Sequence, residues 1–315
     1  MRCDEVFPGR VSTPFPCGRN TYVVNSGSDN ISIIDIASRT VVATVSVGAG
    51  PFAAAVSHDK ALLYVTNTGS NNVSVIDVKK RAVLSTLSIS GRSPSGIALS
   101  PDGARAYVAN LESGNISVLD LGKKTEIATI AVGDDPFYVA LSRDGRKAYV
   151  TNAGSDKVMV VDTLAQVVAK KVPVNQSSMG VVVTEDGHQV YVANTGTNTV
   201  TVIATNTDTV VKTLVVGSKA VSGPQQFATD PNSAEVYVSL YFEPFVARID
   251  SSTNVPHPPV PVGKDPMGIA VTPDGRILCV TNQDSNTASF IDIETKTILA
   301  TVPVGEKPTF VLISK

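Results

Sequence analysis

The chain has no tryptophan, only three histidines and three cysteines, and aromatic residues make up 5% of it. No uninterrupted apolar stretch approaches the roughly 20 residues that a bilayer-spanning helix needs. Lysine and arginine form no run longer than Lys79-Lys80-Arg81, and the formal net charge is −2. Non-specific binding to nucleic acid, which depends on clustered cations against phosphate, is therefore not expected. The first residues, Met1-Arg2-Cys3-Asp4-Glu5, carry no signal-peptide core. An exported form would have lost its signal or had it replaced by a start methionine. Enzymatic signatures are also missing: the sequence contains no His-x-x-His, Cys-x-x-Cys, Gly-x-Ser-x-Gly, Walker-type or dinucleotide glycine loop. No cofactor or metal is called for.

What the chain has in abundance is valine, threonine and a repeat. A four-residue core recurs at Tyr22-Val-Val-Asn25, Tyr64-Val-Thr-Asn67, Tyr107-Val-Ala-Asn110, Tyr149-Val-Thr-Asn152, Tyr191-Val-Ala-Asn194, Tyr237-Val-Ser-Leu240 and Cys279-Val-Thr-Asn282. The cores are spaced 42, 43, 42, 42, 46 and 42 residues apart. Thirteen residues after each start stands Asp35, Asp77, Asp120, Asp162, Ala204, Asp250 or Asp292. A Gly-x-x-Pro step follows in most copies, as at Gly48–Pro51 and Gly263–Pro266. Turn residues such as Pro101-Asp-Gly103 and Gly133-Asp-Asp-Pro136 divide each unit into four short strands.

Four strands of about five residues cannot bury both faces alone, so the sheets must stack on one another. The expectation is an all-β, seven-bladed β-propeller of four-stranded antiparallel blades. Residues 1–20 form a tail outside the repeats and residues 21–315 one propeller domain. The segment before Tyr22 carries Pro14 and Pro16 and makes a poor innermost strand. Pro308-Thr-Phe-Val-Leu-Ile-Ser314 matches the innermost strands of other units, so 308–314 is expected to pair with 21–25 and close the ring. The cores, the Ser-Pro-Asp-Gly turn at 100–103, the Thr-Pro-Asp-Gly turn at 272–275 and the Thr-Asn-Thr-Gly-Ser-Asn-Asn loop at 66–72 resemble the YVTN-repeat propeller family. That family includes archaeal surface-layer and bacterial envelope proteins. The resemblance covers about 21–314 and implies an extracellular or envelope protein, usually non-enzymatic, that binds or displays something. Related seven-bladed propellers include enzymes, so a lactonase- or lyase-like activity in the central pocket is the alternative.

Residue roles follow from the pattern. The tyrosines supply apolar area between blades, the terminal asparagines serve loop backbone, and the Asp ladder caps turns. Cys279, standing in for tyrosine, packs as a small buried hydrophobe. Cys3 and Cys17 form either a loop-closing disulfide in an oxidising compartment or two free thiols.

Function is sought where the repeat breaks. The sixth unit has a loop from Gly217 to Pro224 that is four residues longer than its counterparts, and Leu240-Tyr-Phe-Glu-Pro-Phe245 replaces the polar upper loop. Arg248 stands where other units have Ile33, Val75, Val118 or Val160, and needs a partner such as Glu235 or Glu243 if buried. A ligand- or partner-binding patch is expected from Lys219, Gln225, Gln226, Tyr241, Phe242, Glu243, Phe245 and Arg248, taking a polysaccharide, a surface protein or a small molecule. The alternative is a degenerate repeat whose aromatics plug the channel. A second, weaker set follows each Gly-x-x-Pro proline or its equivalent: Phe52, Ser95, Phe137, Met179, Gln225, Met267 and Thr309. It rings the channel mouth as a pocket or as core packing.

Overall fold

A computed structural model describes residues 20–218 and 222–314. Cys3, Cys17 and Lys219 lie outside the described residues. Seven four-stranded antiparallel sheets follow one another around an axis. The first blade joins Asn20–Asn25, Asn30–Asp35 and Thr40–Ser46 to the last strand, Pro308–Ile313. Blades two to seven follow in chain order over 51–88, 94–131, 136–173, 178–215, 224–261 and 266–303. Ring closure is as the repeat requires, with Tyr22 opposite Leu312 and Val23 opposite Val311. The Ser314 amide donates to the Asn20 carbonyl at 3.1 Å. Among the described residues no helix is long and apolar enough to cross a membrane.

The apolar core is divided into seven clusters, one at each junction between neighbouring blades. Six tyrosines of the repeat cores are buried in these clusters, each facing the next blade. At the seventh junction Cys279 is fully buried, and burial raises its thiol pKa. Its neighbour across the strand pair is the fully buried Phe290, which restores the volume that tyrosine supplies elsewhere.

The core asparagines serve strands rather than loops. Asn67 Nδ2 donates to Asn72 Oδ1 at 2.7 Å and to Ser74 Oγ at 2.8 Å, both on the next strand. Asn25, Asn110, Asn194 and Asn282 make the same pair of bonds. This arrangement explains the glycine of the Gly-x-x-Pro step. A Cβ on Gly48 would stand 2.7 Å from the Asn67 amide carbon, closer than van der Waals contact permits. The Asp ladder caps turns: Asp77 Oδ1 accepts the Lys80 amide at 2.8 Å, and Asp35, Asp120, Asp162, Asp250 and Asp292 act alike.

Two outcomes follow from this packing. Gly48→Ala should lower folding stability by about 1–3 kcal/mol, as overpacking does, and an unchanged denaturation midpoint would contradict the close approach. Three of the capping carboxylates, Asp77, Asp120 and Asp250, titrate below their ordinary range. Hydrogen bonds, first from the Ser252 hydroxyl, hold Asp250 down to about 2, and the Lys80 amide lowers Asp77. A depressed folded-state pKa means stability that is complete above about pH 4 and lost as pH falls below it. Thermal unfolding midpoints should therefore drop steadily between about pH 4 and 2, and a flat profile there would refute the capping role.

Candidate functional site

The upper face carries the loops that lead into each innermost strand and those that join second to third strands. In blades one, two and three these two loops are fastened by a serine. Ser70 Oγ accepts the Ala49 amide at 2.7 Å, Ser113 the Arg92 amide at 2.8 Å and Ser28 the Glu306 amide at 2.9 Å. The following Asn or Asp reaches on to a neighbouring loop, as when Asn71 Oδ1 accepts the Ser93 amide at 2.7 Å.

The sixth blade keeps this brace with different chemistry. Its leading loop is longer, so a longer side chain is needed, and Glu243 occupies the serine position. The carboxylate is buried and accepts the Ser218 amide at 2.8 Å on one oxygen and the Ser218 hydroxyl at 2.6 Å on the other. Pro244 replaces the Asn or Asp, and Tyr241 provides a bridge to the next blade through its hydroxyl, which donates to Gln283 Oε1 at 2.8 Å. Burial and then the charges of Asp284 and Asp265 raise the Tyr241 pKa, so it remains a neutral donor. Phe242 takes a position held by Gly27, Gly69, Glu112, Gly154, Gly196 and Asp284 in the other blades. Its ring is 47% exposed and stands edge-on to Tyr241, with centroids 5.0 Å apart. Gly223, with φ of 62°, passes beneath that ring, where a Cβ would come within 2.6 Å of it. The result is a fixed aromatic projection on the upper face.

The other members of the sequence-derived set lie elsewhere. Gln225 and Gln226 are buried on the innermost strand. Gln226 Nε2 donates to Tyr138 Oη and, at 3.0 Å, to the Thr309 carbonyl. Phe245 is half-buried against the cluster between blades five and six. Arg248 points to the lower side of its blade, where Nη2 bonds Glu235 Oε1 at 3.0 Å and His257 Nδ1 meets the same oxygen at 2.6 Å. Of the two proposed partners for Arg248, Glu235 holds it, whereas Glu243 holds the loop.

The residues that follow the prolines mainly lend their carbonyls to blade contacts. The hydroxyls of Thr309, Thr66, Ser95 and Ser239 donate to the carbonyls of Phe52, Ser95, Phe137 and Met267 at 2.6–2.8 Å, each across a blade junction. Thr151 does the same to Met179. The side chains of Phe52, Phe137, Tyr138 and Phe310 meet with centroids 5.2–6.4 Å apart. They come from blades one, two and four, which are not all neighbours, so they can meet only near the axis. With Gln226 from blade six they plug the channel. Below the plug lies a cavity of about 220 Å³, lined by residues including Val182, Phe227, Ile269 and Val311. Tyr138 and Phe310 were not singled out from sequence. Aligning the second residue after each proline would have exposed them, because Ala53, Gly96, Gly180 and Gly268 fill that place in four other blades. Among the described residues no group of three His, Cys, Asp or Glu side chains is arranged to hold a metal ion.

A family model described as YNCE-like beta-propeller matches residues 17–186. A chain of hydrazine synthase from Kuenenia stuttgartiensis is 24% identical, over 86% of this chain and 91% of that one, with a TM-score of 0.79. A functionally unknown protein from Desulfotomaculum acetoxidans DSM 771 is 16% identical, over 93% and 98%, with a TM-score of 0.80. At these identities the likeness is one of fold. No curated protein matches the chain.

Glu243→Ala should leave the Ser218 amide without its acceptor, lowering stability by about 1–3 kcal/mol. Amide exchange should accelerate selectively in the loop it braces. Phe242→Ala, at an exposed position, should change stability by less than about 0.5 kcal/mol. Equal exchange in the two variants would remove the bracing role of Glu243.

Proposed function

The chain belongs to the YNCE-like β-propeller family, and we propose that it is a non-catalytic binding module of the cell envelope or extracellular space. Its ligand or partner seats on the upper face over the sixth blade. The observation that supports this reading is Phe242. An apolar ring held out to solvent gains free energy when it is covered, and a ring already fixed in place loses little entropy on binding. Tyr241 lies beside it, braced by Gln283, so the pair forms a rigid shelf. Such a shelf suits a polysaccharide, a surface protein or a small molecule with an apolar or stackable face. The resemblance of the repeat cores to surface-layer and envelope propellers supports the extracytoplasmic setting. The plug of Phe52, Phe137, Tyr138, Phe310 and Gln226 leaves the outer upper face, rather than the channel mouth, as the approach.

The test begins with immobilised bacterial surface polysaccharides and envelope proteins, from which the best-retained ligand is titrated against single and double variants. Loss of two anchoring rings in Tyr241→Ala/Phe242→Ala should weaken binding by at least about thirtyfold, roughly 2 kcal/mol. Phe242→Ala alone should account for much of that loss. A ligand bound equally by the parent and the double variant would place the binding surface elsewhere.

A further inference from the structure

On the lower face, seven turns of similar construction join third to outer strands, so each blade serves as a control for the others. The fourth residue after the capping position adopts a left-handed backbone in all seven: Arg39, Arg81, Lys124, Gln166, Asp208, Asn254 and Lys296, with φ of 51–58°. Asn and Asp tolerate that conformation better than long side chains do. In blades five and six the short residue also receives a hydrogen bond from the repeat tyrosine of the preceding blade. Tyr149 Oη donates to Asp208 at 2.8 Å, and Tyr191 Oη donates to Asn254. Blades two and three give up this arrangement. Arg81 and Lys124 occupy the left-handed position, and the buried Tyr22 hydroxyl, which faces the Arg81 turn, receives no acceptor from that turn. Two structural advantages are thus forgone for a cation.

The charges accumulate on one side of the ring. The turn of blade two presents Lys79, Lys80 and Arg81, and that of blade three Lys123 and Lys124, all exposed. The equivalent turns of blades four, five and six hold no cation, and only Asp208 is charged among them. Asp77 and Asp120 approach Lys80 and Lys123 at 3.4 and 3.6 Å, but these are exposed contacts that leave three of the five cations without a carboxylate at that range. Directly above the cations, the outer strands expose Val83, Leu84 and Ile127 by 40–49%. Other outer strands expose aliphatic residues as well, but next to at most one turn cation: Arg39 precedes Val41 and Val42 in blade one, and Lys296, with Glu294 beside it, precedes Ile298 in blade seven. In blade five, for instance, Lys212 lies beside Val211 and is engaged with the Asn254 carbonyl at 2.7 Å.

We propose that the lower outer edge of blades two and three, with its five cations and adjoining aliphatic side chains, docks on an anionic lipid surface. Lysine and arginine attract acidic headgroups, while neighbouring aliphatic groups enter the headgroup boundary. A soluble polyanion would satisfy the charges but leave the aliphatic groups in water. Lipids, unlike a folded partner, can move to follow a curved edge. This edge lies on the face opposite the Tyr241–Phe242 shelf, so the protein could be held on a membrane with that shelf facing away.

The test is co-sedimentation with vesicles, using the whole chain. Binding is expected to vesicles with about 30% phosphatidylglycerol in phosphatidylcholine, not to phosphatidylcholine alone, and to fall steeply with salt. Charge reversal of Lys79, Lys80, Lys123 and Lys124 to Glu should weaken binding at least about tenfold, whereas Lys170→Glu/Lys171→Glu in blade four should change it far less. Circular dichroism checks that each variant is folded. Val83→Ser/Leu84→Ser should weaken vesicle binding but leave retention on heparin unchanged. Equal binding to both vesicle types, undiminished binding of the quadruple variant, or retention on heparin without vesicle binding would each overturn the proposal, the last in favour of a soluble polyanion.

Discussion

Everything in this molecule depends on the fact that a four-stranded blade is apolar on both faces and can bury them only against its two neighbours. A linear stack would leave two faces in water, and the ring removes both. The strand Pro308–Ile313 carries that closure. Val311 and Ile313 enter the cluster between blades seven and one, while Phe310 and Leu312 pack against the cluster between blades one and two. One short strand therefore completes two of the seven junctions. Its register, Tyr22 opposite Leu312, determines which side chains face each way.

Inside the ring, departures from the repeat are matched by departures beside them. Cys279 is too small for its place, and Phe290 fills the gap. Leu240 cannot make the asparagine bonds, and it is buried instead in the cluster between blades five and six. Arg248 brings a charge to an apolar strand position, and Glu235 and His257 surround it. These pairings show that the YVTN residues and their substitutes are occupied with holding blades together. Binding chemistry must be sought in side chains that the scaffold does not use.

Two places meet that description, and they lie on opposite faces. The upper loops of blade six hold an aromatic shelf, firm because Glu243 and Tyr241 supply braces that replace a serine and an asparagine such as Ser70 and Asn71 of blade two. The lower turns of blades two and three hold cations at positions where blades five and six use their short residue to anchor a tyrosine. The first departure preserves rigidity with new chemistry. The second gives up some local stability for surface charge.

The seven cores, their spacing and the mismatched first unit were enough to determine from sequence the fold, the number of blades and the strand that closes the ring. These are properties of local pattern: period-two alternation, turn residues and repeat length. The breaks at 217–224 and 240–245 were equally legible, because a deviation shows against six copies. Which of the unusual residues share a surface was decided by tertiary structure alone. Gln226 and Phe242 both belong to the sixth unit, yet one points to the axis and the other to solvent, because strand twist and blade packing send neighbouring side chains to different environments. The plug formed by Phe52, Tyr138, Gln226 and Phe310 is likewise invisible along the chain, since its members come from four blades and meet only once the ring has closed.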